Sequence, residues 1–381
     1  MRLAFFTHSP LLYGANRSML ALIAQLCNRG HASLVVGPSG PIASACRDMG
    51  LDYVDYQLPW WTVDNVSTAN RFWRFHALRW LTSRFIGRNA LISELRKFTP
   101  DWLYSNTGVT PLGWLLSRRL KIPHLWHLRE FVDLDFGLNP QIGWPLFRRA
   151  IQSSTVSISV SRAVHRHFFP GNPTARHAVV YEGVGPRHRL EAMSHCYHGR
   201  FASAVCRFVL VGMLQRNKGQ HLAVEALSKV RMAGVNASLT LVGGGEKSEL
   251  QTLAAERGVT QAVRFTGHLD DPLPELRSAH VALMCSPHEA FGRSTAEAMA
   301  MGLPVIGVKA GGTPELVRHG ETGLLFDGAA DTLATAMLEL ASDPARAAKL
   351  GAQGAKLAQT QFADESYADG VLAHLDRYRG S

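Results

Sequence analysis

The feature that most restricts this chain is a rhythm of short apolar runs alternating with helix-period segments, and the rhythm occurs twice. Residues 3–7 (LAFFT) form a first run. A turn-rich stretch follows, then a helical pattern over 17–27 in which Leu20, Ile23, Ala24 and Leu26 are apolar. Further runs stand at 33–37 (SLVVG), 101–105 (DWLYS), 124–127 (HLWH), 156–160 (VSISV) and 178–181 (AVVY). Strands buried on both faces are apolar throughout, and parallel strands need crossover connections, so the pattern predicts a parallel sheet flanked by helices. It restarts at 207–212 (RFVLVG), followed by a helix over 220–231 and a strand at 238–242 (SLTLV) that ends in Gly243, Gly244 and Gly245. A helix over 247–257 and strands at 263–266 and 280–284 continue this second series. Residues 186–204 between the halves are polar, rich in His and Arg and without period, which places the linker there. The expectation is two doubly wound α/β domains, 1–186 and 187–361, with a final helical segment near 362–378.

Two domains suit the length, since 381 residues exceed what one core usually supports. A composition 46% hydrophobic and 18% charged excludes general disorder. Forty basic against thirty acidic residues give a net charge of +10. That favours an anionic partner such as a nucleotide or a lipid surface. Nucleic acid would meet the same charge, but no recognised reading module is present. The five cysteines are odd in number, scattered and without a CxxC pair, which fits a reduced cytoplasm better than a disulfide framework. The opening MRLAFFTHSPLLYG is too interrupted for a signal-peptide core, and no run approaches eighteen uninterrupted apolar residues.

Chemistry concentrates in residues 288–306 (HEAFGRSTAEAMAMGLPVI). Glu289 precedes the turn at Phe291 and Gly292, and Glu297 stands about one turn into the helix expected to begin there. Free amides at a helix start carry partial positive charge and bind phosphate, and glycine lets the backbone come close to it. Carboxylates accept hydrogen bonds from sugar hydroxyls. The spacing therefore suits a nucleotide diphosphate-sugar, although two glutamates eight positions apart are by themselves ordinary surface residues. Their neighbours add weight. Residues 212–219 (GMLQRNKG) place Arg216 and Lys218 at the end of the second half's first strand, and 311–315 (GGTPE) and 320–323 (GETG) add two glycine turns. Ligands of doubly wound folds bind at such carboxyl ends, here in the cleft expected between two domains.

The second half resembles family 4 of the retaining glycosyltransferases, which have the GT-B architecture of two Rossmann-like domains. VGMLQRNKGQHLAVEAL, LTLVGGGEKSEL, VRFTGHLDD, SPHEAFGRSTAEAMAMGLPVIGVKAGGTPELV and HGETGLLF carry the resemblance, in that order, over residues 208–327. The first half matches more loosely, through LYGANRS at 12–18, PHLWHLREF at 123–131, and the stretches VSR at 160–162 and YEGV at 181–184. The resemblance implies transfer of a sugar from a nucleotide diphosphate-sugar with retention of configuration and without a bound metal or cofactor. By the same likeness, Lys218 and Arg216 stabilise the departing phosphate, Gly14 offers a backbone amide from the first domain, and His127 lies near the transferred sugar. Glu289 holds hydroxyls of that sugar and Glu297 the ribose. Phe291, Gly292, Arg293 and Ser294 line the phosphate turn, and Gly267 and His268 meet the base. The final helix, 362–381, is expected to pack back on the first domain. Two departures stand out: Met213 occupies a position where many members have arginine, and Asn16 one where many have an acid.

The implied acceptor is a glycan or a lipid-linked sugar, in surface polysaccharide or glycolipid synthesis, and the implied location is cytoplasmic. The stretch 59–88 interleaves Trp60, Trp61, Phe72, Trp73, Phe75, Trp80 and Phe85 with five arginines. Such a mixture suits either an anionic membrane surface or ordinary core packing, and its arginines do not gather on one helical face. Histidines at 165, 167, 177, 188, 195 and 198 show no paired zinc spacing. The competing readings are a sugar-nucleotide epimerase or hydrolase on the same fold, and a sugar-nucleotide-binding protein without catalysis, to which Met213 lends some support.

Overall fold

The computed structural model describes residues 1–64, 88–171, 174–194 and 205–379. The chain forms two compact units, Met1–Gly183 with Asp364–Ser381, and Val184–Ala363.

The first unit holds strands β1 (Arg2–Phe6), β2 (Ala32–Gly37), β3 (Asp52–Asp55), β4 (Thr62–Asp64), β5 (Trp102–Ser105), β6 (His124–Leu128), β7 (Leu138–Pro140), β8 (Val156–Ser159) and β9 (His177–Val179). Seven of them form a sheet in the order β3-β2-β1-β5-β6-β8-β9, parallel at every pairing, and β4 pairs with β7 as a separate antiparallel ribbon. In β1 the residues Leu3, Ala4, Phe5 and Phe6 are all fully buried because both faces of the sheet are covered. Alternation sends Leu3 and Phe5 to one face. There they meet Met19, Leu22 and Leu26 of the helix Gly14–Asn28 and Tyr367, Val371 and Leu375 of the helix Asp364–Arg377. Ala4 and Phe6 point to the other face and meet Leu91 and Leu95 of Arg88–Phe98 and Leu112 and Leu116 of Leu112–Leu120.

The second unit repeats the plan with β10 (Cys206–Val211), β11 (Ala237–Val242), β12 (Val263–Gly267), β13 (Val281–Met284), β14 (Val305–Val308) and β15 (Gly323–Phe326). Their order is β12-β11-β10-β13-β14-β15, again parallel throughout. Phe208, Leu210, Leu239, Leu241 and Leu283 of the strands pack with Ala223 and Leu227 of the helix Gln220–Met232.

The stretch taken for a linker begins as a helix, Arg187–Ser194, which packs in the second unit on the helices Arg293–Ala300 and Pro344–Gln361. Leu190 is its one buried residue, so no apolar period marked it in the sequence. Residues 195–204 lie outside the described residues.

The final helix contributes apolar side chains to the first unit's core, so Leu375→Ala should open a cavity there. The expected cost is about 2–4 kcal/mol in urea unfolding. An unchanged unfolding midpoint would contradict this placement of the helix.

Candidate functional site

In the second sheet the chain moves outward from β10 through β11 to β12, then returns to lay β13 on the other side of β10. At that reversal the loops after β10 and β13 lie side by side, the position where doubly wound folds take their ligands. The first loop enters a short 3-10 turn, Arg216–Lys218, and ends at Gly219. A Cβ on Gly219 would stand 2.5 Å from the carbonyl oxygen of Cys285, and its φ of +73° is left-handed. Only glycine lets the two loops touch there without strain. The contact brings Lys218 Nζ to 2.9 Å from Glu289 Oε2, with the two side chains 28% and 18% exposed.

Glu289 is fixed from behind. Gly312 N–H donates to the Glu289 carbonyl at 2.7 Å, and a Cβ on Gly311 would meet that carbonyl oxygen at 2.7 Å. Three residues on, Gly292 opens the helix Arg293–Ala300 and has no side chain to cap its first amides. The helix is alanine-rich and closes on Gly302, whose amide bonds Met299 while Leu303 reaches back to Ala298. Arg293 lies 3.4 Å from Glu297 one turn later, and both side chains are largely buried. Phe291 packs edge-on against Phe362, so its side chain belongs to the core and does not face a ligand. Ser294 is half-buried in the first turn. The neighbouring strand ends join the same edge: Leu214 N–H donates to Gly244 O and Gly243 N–H to Gly267 O. His268 beyond them is exposed, 3.5 Å from Asp270. Arg216 is exposed, and the Met213 side chain is 46% exposed while its carbonyl accepts from buried Gln220.

The first unit carries a different centre, built at the ends of β5 and β6. Arg129 is buried and donates to Asn106 Oδ1 at 2.8 Å, to Tyr367 Oη at 2.7 Å, and to Glu182. Glu182 also accepts from Ser18 at 2.7 Å. His127 lies beside this pair, its Nδ1 bonded to Tyr104 Oη and 3.4 Å from Tyr367 Oη. Burial first, and the Arg129 cation second, push its pKa well below the ordinary histidine value, so the imidazole is neutral. Arg129, Glu182 and Tyr367 were not anticipated as a group. They are separated by up to 238 residues in sequence, and no local pattern joins them. Gly14 begins the first helix and is exposed. Asn16 is buried, and its amide donates to the carbonyls of Ser9 and Leu11, which a carboxylate could not do. The departure at this position therefore holds the loop after β1.

Of the aromatic and arginine stretch, Trp61 is a core residue stacked on Trp126, with its Nε1 donating to Gly108 O at 2.7 Å. Phe72, Trp73, Phe75, Trp80, Phe85 and the arginines at 71, 74, 79 and 84 lie outside the described residues. Among the described residues no three His, Cys, Asp or Glu side chains gather as a metal site.

The family model for glycosyl transferases group 1 matches residues 206–357, and that for glycosyltransferase family 4 matches residues 13–187. A lipopolysaccharide core biosynthesis glycosyltransferase, LpsE of Rhizobium meliloti, is 35% identical over 43% of this chain and 48% of its own length. A GDP-mannose-dependent phosphatidylinositol monomannoside mannosyltransferase of Mycobacterium tuberculosis is 36% identical over 46% of this chain and 48% of its own. The chain thus spans about half the length of these curated relatives. The solved structure of Anabaena HepE with UDP and glucose superposes with a TM-score of 0.78 at 19% identity, over 99% of this chain and 100% of that one. A likeness at that identity establishes the fold, which is GT-B.

Glu130, next to Arg129, accepts from the Thr107 hydroxyl and the Gly108 amide, both at 2.6 Å, and so pins the loop after β5. Burial raises its pKa from 4.5 to about 7, against the pull of those two donors. The native state then binds a proton that the unfolded chain releases, so this group's stabilising contribution is complete below pH 4.5 and is lost as pH rises through about 7. Glu130→Gln keeps an acceptor and removes the titration. In urea unfolding the variant should gain on the wild type by up to ~3 kcal/mol between roughly pH 5 and pH 8. A difference that stays constant across that range would contradict the assignment.

Proposed function

The chain belongs to the family 4, group 1 glycosyltransferases, and we propose that it moves a sugar from a nucleotide diphosphate-sugar to a glycan or lipid-linked acceptor with retention of anomeric configuration. The observation that carries this reading is Lys218 held against Glu289 beside a helix that begins at Gly292, a residue without a side chain of its own to cap it. When the glycosidic bond breaks, negative charge grows on the departing β-phosphate. A fixed cation and the amides of a helix start, aimed at that charge, stabilise the transition state more than the ground state. In this reading Lys218 meets the phosphate, with Arg216 as second cation, and the amides at 292–294 complete the cradle. Glu289 accepts from hydroxyls of the transferred sugar. Glu297, oriented by Arg293, accepts from the ribose. Gly267 and His268 lie on the loop assigned to the base. The roles implied for Gly14 and His127, both in the first unit, belong to the same reading. Lys218 and the amides supply the positive charge themselves, so no metal or cofactor is invoked.

The names of the relatives support an acceptor in lipopolysaccharide or glycolipid synthesis. They also make GDP-mannose and, from the HepE complex, UDP-glucose the first donors to test. Among the described residues no helix is long and apolar enough to cross a membrane. We place the protein in the cytoplasm, with its acceptor at the membrane's inner face. The exposed Met213 where arginine is common favours one second reading, a sugar-nucleotide-binding protein without transfer.

Lys218→Ala and Glu297→Gln should each lower transfer at least about tenfold while circular dichroism and unfolding midpoints stay native. Near-normal turnover in a folded variant removes that residue from the mechanism. A thermal-shift panel of UDP-, GDP- and ADP-sugars should show one donor raising the midpoint by mass action. Binding without transfer to any acceptor would favour the second reading, and no shift with any donor would contradict both.

A further inference from the structure

A cavity of about 380 Å³ opens in the first unit between the ends of the helices Arg88–Phe98 and Leu112–Leu120. Its lining residue Thr99 precedes β5 and Ile122 precedes β6, so it lies at the amino edge of the sheet, opposite the Arg129 network. At the rise of a β-strand, roughly 15 Å separates the two edges. The volume is that of a small-molecule site. Leu95 is fully buried and Leu120 and Ile122 are half-buried, which makes the depth of the cavity apolar. Arg96, Thr99 and Arg119 are exposed at its mouth.

Cations in the last turn of a helix are common because they meet the negative end of its dipole. Here their neighbours are also engaged: Lys97 pairs with Glu94 at 2.7 Å, and Arg118 lies over the Trp114 ring at 5.5 Å. Arg96 and Arg119 make no hydrogen bond, ion pair or ring contact among the described residues. No acid lines the cavity they share. Two like charges at one mouth repel, and an anion between them would relieve that.

The backbone is strained at the same place. Thr99 has a φ of +45°, the left-handed region in which glycine commonly ends a helix. A branched side chain makes that conformation costly. Lys121, between the lining residues Leu120 and Ile122, is left-handed as well, with a φ of +58°. A threonine kept where glycine would be relaxed leaves a hydroxyl beside the two guanidinium groups, and such strain collects at binding sites.

The structure assigns this cavity to a small organic phosphate, with the phosphate between Arg96, Arg119 and the Thr99 hydroxyl and its apolar body on Leu95, Leu120 and Ile122. A phosphate monoester brings close to two negative charges and three terminal oxygens, which match two planar guanidinium forks and one hydroxyl. A carboxylate, with a single charge, would leave one cation unmatched. The assignment does not rest on the glycosyl-transfer reading, since it uses neither Lys218, Glu289 nor the helix start at Gly292.

The test is saturation-transfer NMR and thermal unfolding of the full chain with hexyl phosphate. The expected result is transfer to the hexyl protons and a raised unfolding midpoint, with hexanol giving neither. Arg96→Gln and Arg119→Gln should each weaken binding about fivefold or more. Thr99→Gly should weaken it without lowering the midpoint of the free protein, and unchanged binding there would remove the hydroxyl from the site. Unchanged binding in the double arginine variant, shown folded by circular dichroism, would overturn the site; if the double variant does not fold, the single variants decide. Binding that survives in the arginine variants and is lost in Lys218→Ala would place the phosphate on the second unit, supporting the glycosyl-transfer reading and overturning this one. Displacement of hexyl phosphate by phosphatidylglycerol vesicles but not by inorganic phosphate would make the cavity a membrane contact and overturn the small-molecule assignment.

Discussion

The reversal of strand order at β10 and β13 is the constraint from which the candidate site follows. Parallel strands of opposite progression send their connections to different sides, so the two loops at the reversal are left adjacent and uncovered. Gly219 lets those loops come into contact, and Lys218 and Glu289 meet across them. The Gly311–Gly312 turn then fixes the backbone of Glu289 from the next strand. A lysine and a carboxylate 71 residues apart are thus placed by backbone geometry, and their own attraction is secondary. A partly exposed pair of this kind contributes little to stability, which leaves both groups available to exchange each other for a ligand's phosphate and hydroxyls.

The first unit solves a different problem. Its charged pair, Arg129 with Glu182, is buried, and a buried ion pair holds only when its remaining donors and acceptors are met. Ser18, Asn106 and Tyr367 meet them. Those residues come from the first helix, the end of β5 and the final helix, so the network joins the chain's two ends around the carboxyl edge of the sheet. His127 is attached to this network through Tyr367, and Tyr104 bonds the same ring nitrogen.

Much of this was legible in sequence. The double rhythm of apolar runs announced two parallel sheets because strands buried on both faces have no polar side. The helix start at Gly292 was legible because glycine, a polar first turn and an alanine-rich continuation agree locally. The β4–β7 ribbon was not, since three-residue strands carry no period. The helix Arg187–Ser194 was hidden because one leucine anchors it. The Arg129, Glu182 and Tyr367 cluster was invisible for a deeper reason. Each residue is unremarkable where it stands, and only the folded chain makes them neighbours. The part played by Asn16 likewise needs the loop it holds: in sequence it is only a departure from the family's habit, and in the fold it donates to two carbonyls.

The claim at the centre is that the paired loops of the second unit hold a diphosphate. A crystal structure of the full chain grown with a sugar nucleotide tests it most directly. The expected density places the β-phosphate within hydrogen-bonding distance of the amine at residue 218 and of the amides that open the helix after Gly292, with that amine released from Glu289. A nucleotide bound elsewhere on the chain, with the Lys218–Glu289 pair intact, would contradict it.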